Sequence, residues 1–366
     1  MSVPFFTLNR QNKIIRKELL SAIEKCVDGG AFILGKSVES LEKHMASFIG
    51  VKYAVGVASG TDALHLALRA VGVKPGDKVV TSPFTFVATA EAISYCGARP
   101  VFADIEPNTF NIDPNKIDLS TDVKAVLPVH LYGNPANMGL LSDICHKNGK
   151  YLIEDCAQAI GAKFKGKQVG SFGDIGCFSY FPTKNLGCFG DGGIITTNND
   201  AFAGEIKVLR GHGSRKTYHY DVIGYNSRLD ALQAEILMVR FKHLEAWSKK
   251  RNNNASLYNK YLQGIEHIST PKIAPEAHSV FNQYTIRAKA RDKLFDHLRK
   301  LSLGCMVYYP LCLHLQKAFA DLGYKPGDFP ESERAQNEVL SLPIFPELEE
   351  PEIAEVCEAI RKFYKK

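Results

Sequence analysis

The chain has 366 residues, 45% of them hydrophobic and 23% charged, which is the usage of a folded globular protein and excludes a disordered or membrane-embedded one. The formal net charge is +6, with a pI near 8.7. That excess is spread along the chain, so no Lys/Arg block is dense enough for a nucleic-acid footprint.

The first segment, MSVPFFTLNRQNKIIRKELL, carries charged and polar residues where a signal sequence needs an apolar core, and no apolar run reaches the length of a membrane span. Residues 12 to 50 read as two helices: Ile14, Ile15, Leu19, Leu20 and Ile23 keep helical spacing, as do Leu41, Met45 and Phe48. From Val55 short β-rich runs alternate with helical stretches: AVGVAS, DALHLALRAVG, KVVTSP, ATAEAISYCG and PVFAD, later AVLPVHLYG, YLIEDCA, IGCFSYF and GGIITTN. Apolar strands separated by amphipathic helices predict a mostly parallel sheet covered on both faces. This α/β body is expected to occupy residues 1–245. A long helical segment, LDALQAEILMVRFKHLEAW and onward to Leu262, leads into a smaller α+β domain over residues 246–366, with a strand in YTIRAKA and helices in RDKLFDHLRKLS and IAEVCEAIRKFY. The nine cysteines are odd in number and show no CxxC spacing, so reduced thiols and a cytoplasmic location are expected, with no metal site.

In a doubly wound sheet, ligands bind at the carboxyl ends of the strands, and three segments fall at such ends. In SGTDAL a strand ends and a helix begins. Gly60, Thr61 and Asp62 stand where free amides and the helix dipole make an anion site, although Ser, Thr and Asp also serve as plain helix caps. In YLIEDCAQ a buried strand ends in carboxylates. Asp155 is placed to pair with a protonated ring nitrogen, as a pyridine cofactor acting as electron sink requires, and Gln158 to bond a ring hydroxyl. The other reading is a pair of acids facing water or a metal. In SYFPTKNLGCFGDGG, Lys184 follows a β run and precedes a glycine-rich stretch. That setting suits an amine confined for Schiff-base chemistry, with Ser179 as a further phosphate ligand. Gly187, Gly190, Gly192 and Gly193 would let the backbone pass close to a ligand. Phe86, in SPFTFVATA, would stack on the ring. Phosphate turn, stacking aromatic, Asp155 and Lys184 follow the order of a pyridoxal-phosphate enzyme of the aspartate-aminotransferase fold, type I.

With these residues in place, the sequence resembles the DegT-type (DegT/DnrJ/StrS) sugar aminotransferases over nearly its whole length. The likeness runs through ILGKSVESLEKHMASFIG, SGTDALHLAL, TFVATAEAI, PVHLYGNPANM, IEDCAQAIGA, SYFPTKNLGCFGDGG, GYNSRLDALQAEIL and YYPLCLHLQKAF. The resemblance implies that Lys184 carries the cofactor and then shuttles a proton. It implies further that Asp155 pairs with the ring nitrogen, that Gln158 lies at the phenolic oxygen and Phe86 on the ring face, and that Gly60, Thr61, Asp62 and Ser179 hold the phosphate. Asn226 matches an asparagine that reaches the phosphate of a neighbouring subunit, which makes a homodimer with shared active sites. The implied reaction passes an amino group from L-glutamate, by way of pyridoxamine phosphate, to a nucleoside-diphosphate keto sugar. NSRLD and RGHGSRKTYHYDVIG resemble members acting on 3-keto sugars; amination at the fourth carbon or of a non-nucleotide cyclic ketone stays open, as does a cofactor-binding regulator without turnover. His212, His219, Tyr220, Arg228, Tyr309 and His314 are candidates for substrate contacts. Two positions depart from the family's habit: Asn137 in PANM, where an acid is common, and Tyr308-Tyr309-Pro310, where HYP is common. A related dehydratase branch has histidine in place of the lysine, and here Lys184 is present.

Overall fold

The computed structural model describes residues 3–119 and 122–365. The chain opens with α1 (Asn9–Ile14), α2 (Arg16–Gly29) and α3 (Gly35–Ile49). The sequence predicts two helices here and the structure has three, because the backbone leaves the helical region at Ile15 before α2 begins. Gly30 at φ 62° then closes α2 in the left-handed conformation that glycine adopts without strain.

Seven strands form the main sheet: β1 (Tyr53–Val57), β2 (Lys78–Thr81), β3 (Arg99–Phe102), β4 (Val123–Val126), β5 (Tyr151–Asp155), β6 (Ile175–Ser179) and β7 (Gly193–Thr197). Their order across the sheet is β1-β7-β6-β5-β4-β2-β3. All neighbours are parallel except β7, which runs against both β1 and β6. Helices cover both faces. On one, α4 (Gly60–Ala70) and α5 (Ala88–Tyr95) bury Leu64, Leu68 and Ile93 against Val55, Val79, Ile153, Ile175 and Ile195. On the other, Leu41, Met45 and Ile49 of α3 pack with Phe178 and Ile194. A buried ion pair pins α3 to β1: Glu42 accepts from Arg210 at 2.6 Å and from the Gly56 amide at 2.8 Å, and Arg210 also donates to the Gly56 carbonyl.

The predicted long helix after residue 230 is two helices, Ala231–Phe241 and Leu244–Leu262, parted by a turn in which the His243 amide bonds the Arg240 carbonyl. Beyond it, strand Tyr284–Ala288 pairs antiparallel with Ile268–Ser269 and Val339–Leu342. Helices Arg291–Lys300 and Glu350–Tyr364 enclose a second core containing Tyr258, Ile286, Leu294, Leu342 and Val356. The sequence reading groups the N-terminal residues with the sheet, but Val3 lies in this second core. It bridges Leu303, and Arg10 forms an ion pair with Glu352 at 2.6 Å. Among the described residues no helix is long and apolar enough to cross a membrane.

Candidate active site

The carboxyl ends of β1, β5 and β6 meet at one edge of the sheet. After β1 the chain turns at Ser59, whose hydroxyl accepts from the Asp62 amide at 3.0 Å and caps α4. Among the described residues the amides of Gly60 and Thr61 find no acceptor in the protein, so they and the helix dipole are available to an anion. Ser179, at the end of β6, lies against this turn: a Cβ on residue 60 would stand 2.6 Å from the Ser179 Cβ and 3.0 Å from its Oγ. The approach of Ser179 therefore requires a glycine here. Asp62 turns its carboxylate to the Ser227 hydroxyl at 2.7 Å, which ties the segment 225–229 to the start of α4. The neighbouring Asn226 is exposed, and its backbone bridges Gly211.

The two acids that end β5 have separate fates. Adjacent strand residues point to opposite faces. Glu154 is fully buried and accepts from the amides of Gly170, Phe172 and Gly173 at 2.7 to 2.8 Å. It also lies 3.1 Å from His130 Nε2. His130 Nδ1 accepts from the Ala136 amide, so Nε2 carries the proton and donates to Glu154. These bonds answer the alternative of a metal: His130, Glu154 and Cys156 lie close enough together to share an ion, but the His130 nitrogens and the Glu154 oxygens are already engaged. Asp155 faces the sheet edge. Its Oδ2 accepts from the Thr89 hydroxyl at 2.9 Å and its Oδ1 from the Ala157 amide at 3.1 Å. Burial pushes its carboxyl above the usual carboxylate range, while the Ala157 amide, the Thr89 hydroxyl and the charge of Lys184 pull the other way.

Lys184 stands in the loop between β6 and β7, its amide bonded to the Phe181 carbonyl at 2.9 Å. Burial lowers its ammonium from an ordinary 10.5 to about 8, against the opposing charge of Asp155. Its neighbour Asn185 is clamped: Nδ2 donates to the Val280 carbonyl and Oδ1 accepts from Asn282, both at 3.0 Å. Two glycines of this stretch, Gly187 and Gly193, serve the protein's own backbone. A Cβ on Gly187 would meet the Pro182 carbonyl at 2.6 Å, and one on Gly193 the Ser59 carbonyl at 2.4 Å.

Gln158 is fixed from two sides. Its Oε1 accepts from the Tyr132 amide at 2.6 Å and its Nε2 donates to the Tyr309 hydroxyl at 3.2 Å. Tyr132 takes a positive φ of 60° and donates its hydroxyl to the Tyr308 carbonyl. Phe86, 55% exposed, stands over this edge with its ring 6.3 Å from that of Tyr309. The remaining candidates are scattered. His219 and Tyr220 are exposed in a hairpin with Ser214–Lys216, and His212, at φ 62°, is exposed just before it. Arg228 is half-buried with an unpaired Nε. His314 is 2% exposed, its ring edge-on to Phe329 and its Nε2 bonded to Glu333, a setting that gives it a packing role within the chain. The sequence reading misses Thr89, Asn185 and Tyr132. Each acts through a contact with a distant segment, for which no local pattern exists.

The donor set suits pyridoxal phosphate: amides and Ser179 for an anion, a carboxylate for a ring nitrogen, a desolvated amine and an open aromatic face. The model of the DegT/DnrJ/EryC1/StrS aminotransferase family matches residues 13–361. The chain is 47% identical, over 100% of its length and 99% of the relative's, to a pleiotropic regulatory protein of Geobacillus stearothermophilus. It is 45% identical, over 99% and 98%, to a UDP-N-acetyl-3-dehydro-alpha-D-glucosamine 3-aminotransferase of Acidithiobacillus ferrooxidans. The crystal structure of DesV from S. venezuelae in complex with a ketimine intermediate superposes with a TM-score of 0.98 at 38% identity, covering 100% of this chain and 99% of that one. The chain belongs to the DegT/DnrJ/EryC1/StrS aminotransferase family.

Proposed function

We propose that this aminotransferase binds pyridoxal phosphate on Lys184 and moves an amino group from L-glutamate to a nucleoside-diphosphate 3-keto sugar. One arrangement carries the reading: the half-buried amine of Lys184 lies within electrostatic reach of Asp155, a carboxylate that accepts from Thr89 and Ala157. When bound, pyridoxal phosphate supplies an aldehyde for amines and a ring that withdraws electrons. Toward it, Lys184 offers an amine that gives up its proton at about 8, where an ordinary lysine does so at 10.5, and moves the proton at its Nζ. Asp155 holds a proton on the ring nitrogen, and Phe86 excludes water from one face. Gln158, fixed by Tyr132 and Tyr309, orients toward the ring oxygen. Gly60, Thr61 and Ser179 bind the phosphate, and Asp62 holds the adjoining segment in place.

The 3-position is supported by the sequence likeness to a relative named for that carbon. The name of the regulatory relative favours a second reading, binding without turnover. One experiment separates them. The protein is converted to its pyridoxamine form and offered UDP-, dTDP- and GDP-linked 3-keto and 4-keto sugars and a cyclic ketone. Return of the absorption of the aldehyde form with a 3-keto sugar supports the proposal. Return only with another acceptor replaces the substrate, and no return with any of them favours the regulator. The site is completed in a homodimer. Support comes from the exposure of Asn226 and of the apolar Phe181, Phe189, Tyr218 and Ile223 in a single chain. Nine buried, unpaired cysteines accord with a reducing, cytoplasmic setting.

A further inference from the structure

We propose that Thr89, backed by Thr85, is a positioning residue that keeps Asp155 ionised and aimed at the ring nitrogen of the cofactor, which rests on Asp155 being that nitrogen's partner. Thr89 is 1% exposed and Thr85 2%, and their hydroxyl oxygens lie 3.0 Å apart. Near the start of a helix a threonine hydroxyl ordinarily serves its own backbone. Here it instead crosses to a residue 66 positions away and donates to Asp155 Oδ2 at 2.9 Å.

An ionised carboxylate only accepts, which fixes the direction of the relay. The Thr89 proton points to Asp155, so a lone pair of Thr89 faces Thr85, and the Thr85 proton points to Thr89. Ala157 occupies the other carboxylate oxygen. Each oxygen thus keeps a lone pair, and the carboxylate plane is held from both ends. The opposing influence is burial, which favours the neutral acid. Lys184 and His130 bear on Asp155 electrostatically, and the Tyr309 hydroxyl and the Cys177 thiol feel its charge in turn. Beside the ring nitrogen that it would face, the Thr89 hydroxyl and the Ala157 amide are the protein's own hydrogen bonds that sustain the anion. The segment Thr85–Thr89 therefore delivers two things at once, the stacking ring of Phe86 and the hydroxyl pair beneath it.

The test compares Thr89→Val, Thr89→Ser and Asp155→Asn holoenzymes with the wild type. Three readouts are taken: cofactor affinity by equilibrium dialysis, the pH at which the visible band of the bound cofactor changes, and the glutamate half-reaction. A bond to a charged group predicts that Thr89→Val weakens cofactor binding about tenfold and slows the half-reaction roughly ten- to a hundredfold. KM for glutamate stays within about a factor of two, the band's pH dependence moves, and Thr89→Ser restores all three. Thr89→Ala gives the same reading should the valine variant not fold. Wild-type values in Thr89→Val beside an impaired Asp155→Asn overturn the role of Thr89 and leave that of Asp155. Wild-type values in both overturn the reading of Asp155 and this proposal with it. Loss in Thr89→Val that serine does not restore also overturns it, since the hydroxyl would then not be the cause.

Discussion

Gly60 and Ser179 come so close that a single methyl group on the glycine would fall 2.6 Å from the Ser179 Cβ. The start of α4 and the end of β6 are thereby locked into one surface. Gly60→Ala should push them apart, costing about 1–3 kcal/mol of stability. Retention of pyridoxal phosphate on gel filtration should fall more than the melting temperature does. Unchanged retention would show that the two segments do not form one phosphate site.

Lys184 is placed at a cost to the empty protein. Its folded pKa of about 8 lies below its unfolded 10.5, so the unfolded chain binds more protons between these values and stability rises with pH there. Below about pH 8 the penalty is fully present. Lys184→Met should stabilise the cofactor-free protein at pH 7 by about 2 kcal/mol, while abolishing the glutamate half-reaction. The gain should shrink as the pH rises toward 10.5. Urea unfolding of both proteins at pH 7 and pH 9.5 checks this, and an equal difference at the two values would contradict it.

Glu154→Gln places an amide N–H₂ against protein donors, either the Gly170 amide and His130 or the amides of Phe172 and Gly173. It should cost about 3 kcal/mol. Asp155→Asn, next along the strand, should leave the melting temperature of the cofactor-free protein near that of the wild type. It should lower the half-reaction rate on the order of a hundredfold or more. Equal thermal losses in the two variants would erase the distinction between a structural and a chemical acid.

Asn185→Ala removes both bonds that clamp the lysine loop to residues 280–282. With the fold intact, the half-reaction should slow about tenfold. A rate equal to the wild type would mean that Lys184 needs no help from its neighbour.

The α/β body is legible in the sequence because fully buried strands such as YLIED and IGCFS are written as short apolar runs between amphipathic helices. Phe86, Asp155 and Lys184 are legible as candidates because they end or follow strands in a telling order. The reversed direction of β7 is not, since apolar content carries no record of which way a strand runs. Nor can spacing reveal that Thr89 bonds a residue three strands later, or that Gly60 answers to Ser179. The break at residues 242–243 escapes notice because the apolar pattern continues through it.

The reversal of β7 has a bearing on how the lysine is held. β6 delivers the chain to the edge of the candidate site at Ser179, and an antiparallel β7 takes it back from that same edge at Gly193. The intervening loop is thus a tether fastened at both feet, and its stem is drawn tighter by bonds from Tyr180 to Gly192 and from Cys188 to Tyr180. A parallel strand would have forced the chain to the far side of the sheet before returning, leaving the Lys184 amine on a long, slack excursion. Here the span over which Lys184 can wander is set by the sheet itself.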